Sequence, residues 1–158
     1  MSMIQLFTKN IIFTRSTLLY SLGLTLSVGN GNFDSTHTKD LATDGERDTF
    51  ASANPASNGD TVTITCMFKN KYHVKMVKTW VTADMTGIKG AIYDDSQSKR
   101  GLNELDGNNQ QPQIADNMND KGDRIEFERG GELQLREVEI WVQEPSKPQG
   151  YYCYVPTI

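Results

Sequence analysis

Apolar and polar residues alternate along several stretches of the chain, most cleanly at Tyr20-Ser-Leu-Gly-Leu-Thr-Leu-Ser-Val28. Tyr20, Leu22, Leu24, Leu26 and Val28 fall on every second position, with only Ser21, Gly23, Thr25 and Ser27 between them. Strand side chains alternate between faces, so this segment has one apolar face and one small, polar face. On a helix the same leucines would scatter around the axis. The period therefore predicts a strand that must bury its apolar row against something.

The same period returns further on. Val62, Ile64, Cys66 and Phe68 alternate with threonines, which predicts a half-buried strand over 61–68. Asn70-Lys71 predicts a turn, and residues 72–82, carrying Trp80, a following strand. Shorter strands are expected at 88–93 and 124–128. Gly130-Gly131 turns the latter into Glu132–Leu135, and Val138, Ile140 and Val142 resume the alternation after a phase slip that predicts a bulge. A last strand is expected over Gly150–Val155, and residues 1–15 suit an extended arm. Between these runs, residues 33–60 are polar and small apart from Phe33, Leu41 and Phe50, and read as a linker or loosely attached surface segment with room for a short edge strand near Phe50. Residues 94–123 are rich in Asn, Gln and Asp and predict a long loop with a turn of helix. The chain is thus expected to be all-β, with an N-terminal arm over 1–32, a linker over 33–58 and a β-sandwich over 59–158 that carries the polar insert 94–123.

Composition narrows the function. Hydrophobic residues make up 37% of 158, enough for one core but not two. The net charge of −4 argues against a nucleic-acid partner. Lys9 and Arg15 precede an apolar run, in the outline of a secretory signal, but Ser, Gly and Thr interrupt that run too often for a membrane-spanning segment. The two histidines, His37 and His73, sit in no catalytic motif, and no glycine-rich phosphate loop occurs, so no enzyme and no catalytic residue is expected. Asp116, Asp120 and Asp123 are close in sequence, but Lys121 stands where a calcium loop needs glycine, so no metal and no cofactor is expected. Cys66 and Cys153 could pair, stay free or serve a metal, and the distant histidines disfavour the last.

Gly59-Asp-Thr-Val-Thr-Ile-Thr-Cys66 resembles the second strand of an immunoglobulin variable-type domain. Trp80, 14 positions later, resembles that family's core tryptophan. Gly150-Tyr-Tyr-Cys153 resembles its sixth strand, with Tyr151 in the place of the tyrosine corner. The resemblance spans residues 59–155. It implies an immunoglobulin-like antiparallel sandwich in which Cys66 and Cys153 form a disulfide against Trp80, with Tyr151 in the core, and hence an oxidising, extracellular compartment. It also implies a seventh strand, for which the five residues after Cys153 leave no room.

A sandwich without its last strand exposes a groove and an unpaired edge. Tyr20, Leu22, Leu24, Leu26 and Val28 have the pattern to fill it, for a gross gain of roughly 7–15 kcal/mol before ordering costs. Inserted into a neighbouring copy, the strand would propagate a head-to-tail homopolymer, an architecture similar to the donor-strand fibres of bacterial pilins. The leading expectation is an extracellular filament subunit of this kind. The alternatives are a self-contained immunoglobulin-like recognition or adhesion module, binding a glycan or protein on its loops with the insert 94–123 as the natural surface, and a virion capsid-decoration or tail protein.

Overall fold

The computed structural model describes residues 16–18 and 24–143. Among these, ten strands form one hydrogen-bonded network. In chain order they are β1 (Ser16–Leu18), β2 (Leu24–Gly29), β3 (Gly31–Phe33), β4 (Ala51–Pro55), β5 (Thr61–Val81), β6 (Lys89–Asp94), β7 (Gln97–Gly101), β8 (Gln113–Ala115), β9 (Asp120–Gly130) and β10 (Leu133–Gln143). The order across the network is β3-β4-β10-β5-β9-β6-β7, with β1 on β10 and both β2 and β8 on β5. All these pairings are antiparallel. The fold is the all-β antiparallel sandwich that the alternation predicts.

The sandwich hinges on β5. Its sequence predicts two strands with a turn at Asn70-Lys71, yet Thr61–Val81 is one strand of 21 residues. The turn residues are exposed and lie in the interval between Met67 and Tyr72 where the register against β9 slips. Such an irregularity lets one strand leave one layer and enter the other. The first half of β5 pairs with β2 and β9, and the second half keeps β9 as far as Val74 and takes on β10 and β8. Val62, Ile64 and Cys66 from the first half and Val77 and Val81 from the second join one core cluster with Ile125, Phe127, Leu133, Leu135 and Ile140. The phase slip in β10 is a bulge between Leu135 and Glu137, which keeps Leu133 and Leu135 on the same buried side as Val138 and Ile140.

The filament expectation fails at β2. Leu24, Leu26 and Val28 lie opposite Phe68, Cys66 and Ile64 of the same chain. Leu26 is buried in the chain's own core, with Leu24 and Val28 packed against its edge. The apolar row is therefore satisfied in cis, and nothing here supports strand donation or a homopolymer. Tyr20 and Leu22, the other two members of that row, lie outside the described residues. The stretch 33–58, read as a linker with a short edge strand near Phe50, contains β4, whose Ala51, Ser52 and Ala53 are buried rather than loosely attached. Small residues there let β4 sit closely against β10, a signal easily taken for a linker composition.

The disulfide expectation is also corrected. Cys66 is a free, fully buried thiol facing the core between Leu26 and Ile125. Burial pushes its pKa up to about 12, so it stays protonated and inert. Cys153 and Tyr151 lie outside the described residues. Trp80 is buried, but it is one residue out of phase with the core-facing Val77 and Val81 and does not join the cluster that holds Cys66. A loop closes over it instead. The Arg47 guanidinium stands 4.6 Å from the ring centroid, and the backbone N–H of Gly45 donates to Oε2 of the buried Glu137, which lies opposite Trp80 on β10.

Candidate functional site

The segment between β7 and β8 builds a cleft over β5. Leaving β7, the chain runs beside the start of β6, where Leu102 N donates to Gly90 O and Leu105 N to Ile88 O, each at 2.8 Å. It then turns back to place β8 on the edge of β5, with Ile114 opposite Lys78. Leu102 and Leu105 thus face β8 across a cleft of about 280 Å³. Buried Val77 and Thr79 form its floor. Asn103, Glu104 and Asn109 stand exposed on its rim. A second cavity of about 190 Å³ continues from it, sharing Leu102, Asn103, Ile114 and Ala115 and adding Arg100 and Asp116.

The returning loop is held rigidly by its own amides. Gln111 Oε1 accepts from Val81 N at 2.9 Å, and Gln111 Nε2 donates to Asp106 O and Asn109 O at 3.2 and 3.0 Å. The Gln113 amide both donates to Asp106 O and accepts from Asp106 N. Asn108 N donates to Asp106 Oδ1 at 2.8 Å, closing an Asx turn. Gly107 N donates to Met85 O at 2.7 Å, and the chain comes so close there that a Cβ would collide with Thr82 O. The Gln111–Pro112 peptide is cis.

Against this fixed frame, some polar side chains are left without work. Among the described residues no hydrogen bond or ion pair engages the side chains of Asn103, Glu104 or Asn109. Beside them Ile114 is 50% exposed, the most exposed large apolar side chain among the described residues. Unengaged amide donors and acceptors, a carboxylate and an apolar plate around one cleft suit a ligand with many hydroxyl groups and some apolar C–H surface.

The carboxylate cluster beside the β6–β7 turn is ion-paired. Asp94, Asp95 and Asp123 bring one oxygen each within 4.8 Å of one another. Lys71 Nζ lies 2.5 Å from Asp94 Oδ1 and 3.0 Å from Asp95 Oδ2, and Arg124 lies 2.9 Å from Asp123 Oδ1. The Lys71 ammonium holds the Asp94 carboxyl below its usual range, and Asp94 raises Lys71 in turn. This network ties the β6–β7 hairpin to β5 and β9. Asp120, grouped by sequence with Asp116 and Asp123, pairs with Arg100 at 2.6 Å. His37 stacks on Phe50 with ring centroids 4.2 Å apart, and His73 Nδ1 lies 3.1 Å from Asn119 O, so both histidines brace loops.

Of the residues singled out from sequence, Leu24, Leu26, Val28, Cys66 and Trp80 are structural and none lines the cleft. The cleft's outer residues belong to the insert 94–123 and its floor to β5. Its individual members carried no spacing signal, because the cleft forms only when two arms of a loop straddle β5.

No protein-family model and no curated protein sequence matches the chain. Solved structures do match. The lectin-binding domain of Lectinolysin, solved with Lewis b, superposes with a TM-score of 0.65 at 14% identity, covering 82% of this chain and 98% of that one. A Streptococcus pneumoniae fucose-binding module gives 0.64 at 14% identity, over 78% of this chain and 97% of the module. The family 32 carbohydrate-binding module of Clostridium perfringens NanJ, solved with galactose, gives 0.63 at 12% identity, over 80% and 99%. At these identities the likeness fixes the architecture, and the chain has the β-sandwich fold of those three domains.

Proposed function

We propose that this protein is a glycan-recognition module that binds a saccharide in the cleft between Leu102–Leu105 and β8. The reading is carried by the unengaged side chains of Asn103, Glu104 and Asn109 around the exposed Ile114. A sugar presents hydroxyl groups that both donate and accept, which planar amides and carboxylates satisfy in pairs. Its C–H faces are apolar, and Ile114 offers them a surface to cover. The rigid loop means that little order remains to be lost on binding. The fold shared with domains solved with Lewis b and galactose supports the same reading. No step of bond making is assigned to the cleft. Recognition of this kind fits an extracellular setting, and a buried, protonated Cys66 thiol places no demand for a reducing compartment.

Screening the protein on a glycan array, followed by titration calorimetry of the best binders, tests the proposal. Asn103→Ala and Asn109→Ala are expected to weaken binding at least ten-fold while leaving the unfolding midpoint unchanged, since neither side chain holds the fold. Array binding that survives both substitutions would move the site elsewhere, and an array with no binder would refute the module.

A further inference from the structure

The cleft is divided. Its two cavities, about 280 and 190 Å³, meet along a shared wall that includes Asn103 and Ile114. Each falls short of roughly 300 Å³, the lower end for a complete small-molecule site. Ile114, half exposed, stands where one cavity passes into the other. Charge differs from that of an anion site. Glu104 faces the larger cavity and Asp116 the smaller. The single cation on either lining, Arg100, is paired with Asp120 at 2.6 Å. An anionic ligand would meet two carboxylates and one neutralised guanidinium.

Resting on the glycan reading above, we infer that the cleft holds two adjacent subsites and selects a neutral oligosaccharide of at least two residues. One sugar sits among Asn103, Glu104 and Asn109. The next sits over Asp116, and the linkage between them crosses Ile114. Neither cavity alone offers both the amide set and the second carboxylate, so a monosaccharide engages only part of the site. A carboxylated sugar is rejected because no free cation meets it and Glu104 or Asp116 repels it.

The test is titration calorimetry with three pairs of probes: galactose and N-acetyllactosamine, fucose and the Lewis b tetrasaccharide, and N-acetylglucosamine and chitobiose. In at least one pair the oligosaccharide is expected to bind ten-fold or more tightly than its monosaccharide. Ile114→Ala, an exposed substitution, is expected to reduce that ratio to about two, because it weakens the oligosaccharide more than the monosaccharide. Sialylated N-acetyllactosamine is expected to bind at least ten-fold more weakly than N-acetyllactosamine, with the gap narrowed by Glu104→Gln together with Asp116→Asn. Equal affinity for monosaccharide and oligosaccharide would overturn the two-subsite inference and leave the glycan module standing. Preference for the sialylated probe would overturn the neutral selectivity. No binding of any probe would overturn both this inference and the reading beneath it.

Discussion

Truncating Leu26 to alanine measures what β2 contributes within its own chain. Leu26 is 6% exposed, lies opposite Cys66, and belongs to the same core cluster as Ile64 and Ile125. Leu→Ala in a packed core costs about 2–5 kcal/mol, from lost transfer energy and the cavity left behind. Among the described residues β2 pairs only with β5 and can settle inward, so about 2–4 kcal/mol is expected. For a chain of this size each kcal/mol moves the midpoint by about 2–4 °C, so Tm should fall by about 4–16 °C. Thr25→Ala is the control. Its exposed side chain on the same strand should change stability by less than about 0.5 kcal/mol. Thermal unfolding followed by circular dichroism at several protein concentrations is the assay. A strand folded in cis gives a midpoint independent of concentration, whereas a donated strand gives one that rises with it. A concentration-dependent Tm, or Leu26→Ala indistinguishable from Thr25→Ala, would refute the assignment of β2 to its own core.

Two further outcomes follow from the geometry. Gly107→Ala places a Cβ against Thr82 O, so the loop must shift, at a cost of about 1–3 kcal/mol, and saccharide binding should fall with it because Asn109 rides on that loop; calorimetry and thermal melts read both. Cys66 should resist alkylation by iodoacetamide at pH 8 in the native protein and react promptly in denaturant. Its folded pKa of about 12 stands above an ordinary 9.0, so the native thiol keeps a proton that the unfolded chain releases. Stability from this group is therefore full below about pH 9 and declines as pH rises toward 12, which denaturant titrations across that range would show.

Alternation is a local property, and it made the strands legible. Val62, Ile64, Cys66 and Phe68 reveal their buried face without any knowledge of what covers it, because the pleat alone sets a period of two. The bulge after Leu135 was legible for the same reason, as a break in phase. The apolar row Leu24-Leu26-Val28 was equally clear, and what it lacked was an address. A strand pattern fixes which side chains seek burial but not which edge supplies it, and β5 of the same chain could be found only in three dimensions. A Cys66–Trp80 spacing shared with another sandwich suggested one packing, while the fold sets Trp80 under Arg47 on the far face. β4 shows in the sequence only as a short edge strand near Phe50, because Ala51, Ser52 and Ala53 have the small side chains of a linker, and only close packing against β10 makes them core. By itself the sequence determined an all-β chain with one core and placed its polar surface in the insert 94–123. Tertiary structure alone decided that the front strand closes its own domain, and that Asn103, Asn109 and Ile114 face one cleft. Contacts between residues far apart in the chain depend on how strands cross layers, and that path leaves no periodic mark on the residues it joins.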